Sequence, residues 1–387
     1  MRKICQLLIL IFCCASSSGR PGRIEFRHLG KDSGLSQITI NGLYQDEYGA
    51  LWIGTKNGVR KYNGNRVVPV DLPEVARWIS MSFAPTVCGD RKGHVYINAD
   101  YNVIEYDLKR EKAKVVFTQH DVRIAPATAF CHGEKSLWIG MKDSIFRYEN
   151  GEVTLYRTLT DDEASVTTLK EVGGKLYVGT KSGGVFRLDE AGTESRVLPP
   201  CSDVLSIYED SRKYLWMGTF SDGLFRISPQ GDMVRYRRSA GGHPGLSSNY
   251  VRAVCEDDYG NIWVGTMQGL DLIDAKTGGI RHYGLSDRDM TGLSNLSVWV
   301  ILKDDMGTMW FGTYYGGLDY CNPETAVFSY FDLGISSGNG YPIVSRIVED
   351  KRGDLWIGTE GKGLLFFDRK ANRHRRLPQW EGAPDNI

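Results

Sequence analysis

Five aspartates, Asp46, Asp90, Asp257, Asp304 and Asp350, each stand six residues before a Trp or Tyr and three before a Gly. Two such acids held about 5–10 Å apart could hydrolyse a glycosidic bond. An acidic run such as Asp257-Asp258-Tyr259-Gly260-Asn261 also faintly resembles a calcium loop, but it lacks the alternating acids and the distal Glu. A single acid beside a glycine, repeated along the chain, is better explained as turn chemistry. Asp bonds its own backbone two residues on, and Gly accepts positive φ. The seven histidines are scattered with no HxxxH or HExxH spacing, so neither a metal nor any other cofactor is assigned. There is no P-loop, and no catalytic residue is assigned. Cys88, Cys131, Cys201, Cys255 and Cys321 are widely spaced, and Cys255, inside VRAVCED, reads as a small buried hydrophobe.

These residues sit on a repeat. LWIGT at Leu51–Thr55 returns at Leu355–Thr359, and variants of it centre on Trp52, Tyr96, Trp138, Tyr177, Trp216, Trp263, Trp310 and Trp356, at intervals of 39 to 47 residues. Each copy reads as an apolar strand, an Asp/Gly turn, the LWxGT strand, a glycine turn, an alternating strand and an outer strand. A period of roughly 40–50 residues made of short strands is the signature of a β-propeller with one four-stranded antiparallel blade per copy. Helical spacing is not sustained anywhere beyond Glu74 to Ser80. The opening RIEFRHLG has the pattern of an outer strand and would complete the last blade of a ring, leaving no open sheet edge. Seven copies then close a ring within residues 20–325, and 326–387 begin a second propeller. The alternative is a single eight-bladed ring.

The chain has 387 residues, 41% apolar and 24% charged, and its formal charge is zero. That is a globular composition with no global field for nucleic acid or an anionic membrane. Two short basic clusters, Arg235 to Arg238 and Arg373 to Arg376, read as solvated surface. Residues 1–19 pair Arg2 and Lys3 with an apolar run and then small residues, which predicts a secretory signal peptide and a periplasmic mature chain.

GLSSNYVRAVCEDDYGNIWVGTMQGLDLID and GLSQITINGLYQDEYGALWIGTKNGVRKYNG resemble the two-component regulator propeller repeat, which occurs in the exported sensor portion of hybrid two-component systems of gut bacteria. The most degenerate copy is Tyr96 to Tyr106, with Asn98 where Gly is usual. The resemblance implies a sensor of two seven-bladed propellers, a β-sandwich, a membrane helix, a histidine kinase and a DNA-binding response regulator. It further implies an oligosaccharide ligand, control of carbohydrate-utilisation genes and a homodimer formed through the sensor region. Nucleic acid and membrane contacts would belong to segments beyond this chain.

In a propeller, the loops leading into the inner strands and those after the second strands gather at one end of the central channel. Sugar recognition there needs aromatic faces and planar polar or charged groups. The candidates are residues at those loops that the repeat does not demand. Arg77, Trp78, Arg123, Asn249, Tyr250 and Asn295 precede inner strands, while Tyr101, Lys142, Asp143, Phe220, Gln268, Tyr314 and Tyr315 follow second strands. The ligand-binding set is Arg77, Trp78, Tyr101, Arg123, Lys142, Tyr250, Gln268, Tyr314 and Tyr315. The runner-up functions are a scaffold that docks a protein, and an exported propeller lyase or glycosidase.

Overall fold

The computed structural model describes residues 24–35, 38–72, 75, 86–99, 101–118, 129–159, 165–189, 193–239, 245–286, 291–323, 343–360, 363–369 and 373–377. The expected signal peptide, Arg77, Trp78 and Arg123 lie outside them. The chain divides into two compact units, Met1–Val327 and Phe328–Ile387.

Among the described residues the first unit holds seven four-stranded antiparallel sheets. Ile40–Gln45, Leu51–Thr55, Gly58–Tyr62 and Val67–Pro69 form the first, from inner to outer strand. The inner strands of the next six are Thr86–Gly89, Ala129–His132, Val166–Val172, Val204–Glu209, Val251–Glu256 and Val298–Lys303. Each lies beside the next, and Val298–Lys303 returns beside Ile40–Gln45. The seventh sheet takes its outer strand from the N-terminus: Arg27–Leu29 pairs antiparallel with Leu318–Cys321. This seam is fixed by a buried contact, with His28 Nδ1 2.7 Å from Oδ1 of the fully buried Asp319. The sixth sheet makes the same pair within itself, His282 Nδ1 to Asp271 Oδ1 at 2.7 Å. The N-terminal strand thus occupies an outer-strand position, as the opening residues imply.

The motif residues each have a mechanical job. The aspartate is more than a turn former. Oδ1 of Asp257 accepts the backbone N–H groups of Tyr259 and Asn261 at 3.0 and 2.9 Å, while Oδ2 accepts the Trp263 indole N–H at 2.9 Å. Asp46, Asp210 and Asp304 clasp Trp52, Trp216 and Trp310 in the same way, each at 2.8 Å. The motif threonine closes the opposite turn, its hydroxyl donating to a glycine carbonyl: Thr55 to Gly58, Thr219 to Gly223 and Thr313 to Gly317 at 2.8 to 2.9 Å.

The motif glycine makes room for the neighbouring sheet. A Cβ on Gly265 would come 3.0 Å from Val298 Cγ1, and one on Gly312 would come 2.6 Å from Ile40 Cγ2. Apolar packing is accordingly between sheets rather than in one central mass. Trp263, Leu270 and Leu272 pack with Val298, Met309, Phe311 and the N-terminal Phe26. Leu29, Leu35 and Ile40 pack with Trp310 and Leu318 across the seam. Gly312→Ala overpacks that seam and is expected to cost about 1–3 kcal/mol. Urea unfolding of the variant beside the parent checks this, and an unchanged midpoint would contradict the packing account.

The second unit carries one sheet, Ile343–Glu349, Leu355–Glu360, Gly363–Asp368 and Arg373–Arg376. Its inner strand is exposed at every residue, including Ile343, Val344, Ile347 and Val348. A Cβ on Gly358 would meet only the sheet's own Ser345 and Arg346, at 3.3 Å or more.

Candidate functional site

Five of the seven inner strands of the first unit share one irregularity. The ladder skips a residue at Asn41, Thr167, Leu205, Arg252 and Trp299, the second position of each strand. A bulge leaves its extra residue unpaired and re-aims the side chain. Sequence reasoning treats VRAVCED and SVWVILKD as plain apolar strands, so it passes over Arg252 and Trp299. Their signal is a cation and a large indole at a position the repeat fills with no fixed residue type.

Arg252 and Trp299 meet across adjacent sheets, the guanidinium carbon lying 3.8 Å from the Trp299 ring centroid. Arg252 Nη1 also donates to the Tyr250 hydroxyl at 3.0 Å. Beyond Trp299 the Tyr314 ring stacks at 4.6 Å and 22°, and Tyr315 follows at 4.0 Å. Lys56, from the first sheet, places its ammonium 5.0 Å from the Tyr314 centroid. At the other end Phe220 packs on Tyr250 at 4.7 Å. The result is an arc of aromatic rings and two cations spanning the fifth, sixth, seventh and first sheets.

Backbone bonds hold the arc. In each blade the loop after the second strand is tied to the loop before the inner one: Phe220 N–H to Asp203 O, Met267 N–H to Tyr250 O, and Tyr314 N–H to Ser297 O. Asn249 Oδ1 accepts the Arg238 N–H at 2.7 Å and Asn295 Oδ1 accepts that of Ser297 at 2.9 Å, so both support loops. The Trp299 indole N–H is anchored on Ser297 Oγ at 3.0 Å.

Burial pulls the Arg252 guanidinium below its ordinary pKa, the two tyrosines nearby opposing the shift. Among the described residues no carboxylate neutralises Arg252 or Lys56; the partners of Arg252 are Tyr250 and Trp299, and that of Lys56 is Tyr314. The Tyr315 hydroxyl and then the Lys56 ammonium lower the pKa of the Tyr314 phenol. A desolvated cation between aromatic faces is a standing demand for an anionic or hydroxyl-rich ligand.

Of the nine predicted site residues, the structure brings Tyr250, Tyr314 and Tyr315 together. Tyr101, Lys142 and Gln268 hold the equivalent loop position in their own blades and join no contact of the arc. Lys142 is exposed with φ 47°, and Gln268 is exposed with its backbone N–H on Thr266 Oγ1. Arg77, Trp78 and Arg123 fall outside the described residues. Two grooves among the described residues lie elsewhere, beside the aspartate turns. Because Val298 pairs with Thr313 and Lys303 with Met309, those turns are at the opposite end of the blades from Trp299 and Tyr314. Among the described residues no three His, Cys, Asp or Glu gather as a metal site, and no helix is long and apolar enough to cross a membrane.

Strand order, seam and blade structure define an all-β propeller. Five segments, 34–57, 198–221, 245–268, 292–315 and 337–361, match the profile described as two component regulator propeller. Those five segments are repeats of the two component regulator propeller type. The fold is similar to the extracellular domain assigned to a hybrid two component system of B. thetaiotaomicron, with a TM-score of 0.67 at 19% identity, covering 92% of this chain and 55% of that one. A second such domain from the same organism gives 0.62 at 20%, covering 93% and 48%. The chain therefore spans about half the length of these two structures. Virginiamycin B lyase from Staphylococcus aureus is similar in fold, with a TM-score of 0.60 at 14% identity, covering 78% of this chain and 99% of the lyase. No curated protein matches significantly.

Proposed function

We propose that residues 20–325 form the ligand-recognising propeller of an exported two-component sensor, and that 326–387 open a second propeller. The ligand is an oligosaccharide bearing a carboxylate or sulfate, and the chain binds it without chemistry. The observation that carries this reading is the arc of Tyr250, Arg252, Trp299 and Tyr314, which offers stacking faces beside cations that no carboxylate among the described residues neutralises. Sugar rings stack on aromatic faces, and guanidinium groups read planar oxyanions. The second-propeller reading is supported by the exposed apolar inner strand of the eighth sheet, the surface on which another blade would pack.

Thermal-shift measurements of the whole chain against matched neutral and acidic oligosaccharides test the reading. At least one acidic glycan is expected to raise the melting temperature, and its neutral counterpart to do so less. No shift with any glycan would overturn the glycan reading, and release of cleaved product would overturn the non-catalytic one.

A further inference from the structure

Three successive blades of the first unit abandon the aspartate–tryptophan clasp. In the second, Tyr96 replaces the tryptophan, and the free oxygen of Asp90 is taken by His94 Nδ1 at 2.8 Å. In the third, His132 stands where the aspartate belongs. Its blade is instead clasped from the fourth: Glu171 accepts the Trp138 indole N–H and the Glu134 backbone N–H. Released from that duty, the His132 ring stacks on Tyr96 at 5.5 Å and 16°. None of these three repeats lies within the segments that match the family profile.

Both grooves belong to these blades. One, of about 270 Å³, lies between the second and third and is lined by Lys92, His94, Tyr96, Glu105, His132 and Lys135, among others. The other, of about 350 Å³, passes Trp138 and Glu171 and shares Lys135 and Glu149 with the first. The acids of the smaller groove already have partners. Asp90 holds His94 and its turn, Glu105 accepts from Tyr148 Oη at 2.6 Å and Lys114 at 2.8 Å, and Glu149 faces Arg147 at 3.4 Å. The cations of the rim do not. Among the described residues Lys92 reaches only the Glu134 carbonyl, at 3.4 Å, and Lys135 has no carboxylate partner. The imidazoles add open ring nitrogens. Nδ1–H of His132 is committed to the Gly133 carbonyl and that of His94 to Asp90, so each ring leaves its Nε2 without a hydrogen-bond partner among the described residues.

We propose that this groove is a second binding site, at the opposite end of the blades from the arc, for a small hydroxylated oxyanion. Lys92 and Lys135 take the oxyanion, and Nε2 of each imidazole bonds a hydroxyl. The volume falls just under the ~300–1,000 Å³ of drug-sized pockets, so the groove takes one ring rather than a chain. A sugar acid and a sugar phosphate satisfy the same chemistry.

Isothermal titration of the whole chain with gluconate, glucose 6-phosphate and glucose tests this. One or both anions are expected to bind, whichever is tighter identifying the oxyanion, and the Lys92→Ala/Lys135→Ala double variant to bind at least tenfold more weakly. Both lysines are exposed, so the double variant is expected to melt with the parent. Arg252→Ala is expected to leave this binding unchanged, which separates it from the arc. The proposal is overturned if neither anion binds at millimolar concentration, if glucose binds as tightly as the anions, or if the double variant binds like the parent.

Discussion

Arg252→Ala and Trp299→Ala are each expected to weaken binding of an acidic oligosaccharide by ten- to a hundredfold. The estimate follows from the geometry. A desolvated cation–π contact is worth ~2 kcal/mol or more, and central interface residues of these types commonly cost 2 kcal/mol or more on truncation. Each 1.4 kcal/mol is about tenfold in affinity. Arg252 sits 3.8 Å from the Trp299 centroid with no carboxylate partner among the described residues, so its removal strands no charge there. Stability should therefore hold while affinity falls, and titration of both variants with whichever acidic glycan stabilises the parent reads the two separately. Unaltered affinity in both variants would remove the arc from ligand recognition.

Asp257→Ala carries the largest expected effect on stability, about 3–5 kcal/mol. Asp257 is 4% exposed and accepts from two turn N–H groups, from the Asn261 amide at 3.0 Å and from the Trp263 indole. Hydrogen bonds to a charged group contribute roughly 1.5–3 kcal/mol each, and a buried donor left without a partner costs roughly 1–3 kcal/mol. The sum is not additive, because the turn can recover water while the fully buried indole cannot. Asp90→Ala is the contrast: its blade has no motif tryptophan, and the side chain of its His94 partner is 36% exposed, so a smaller loss is expected. Denaturant titration of both proteins decides. A loss below about 1 kcal/mol for Asp257→Ala would reduce the aspartate to a turn former.

The period, strand order and N-terminal seam are all legible in the sequence, because turn chemistry recurs with a spacing that only a repeated sheet explains. The clasp is half legible. Spacing of six between Asp and Trp is visible, but the indole bond is a three-dimensional fact. A requirement for Gly three residues on passes over Asp210, whose turn places Lys213 at φ 68° instead. Tyr250, Tyr314 and Tyr315 stand out as breaks in the repeat. Arg252 and Trp299 do not, because a bulge is a property of register between two strands and a single strand written as VRAV or VWVI does not display it. His132 is hidden for the opposite reason: the partner that releases it from clasp duty, Glu171, belongs to another blade.

The seam has a consequence in time. Arg27–Leu29 is among the first segments of the unit to be synthesised, yet its partner, Leu318–Cys321, is among the last, and His28 and Asp319 are 291 residues apart. Each blade between them can form from local hairpins, with little delay from distant contacts. The seventh cannot, since its outer strand must remain unpaired until nearly the whole unit exists. Loop-closure entropy rises only as the logarithm of separation, so the delay is one of order of events more than of free energy. The first strand made is then the last to find its place, and the propeller is latched only when all seven blades are present.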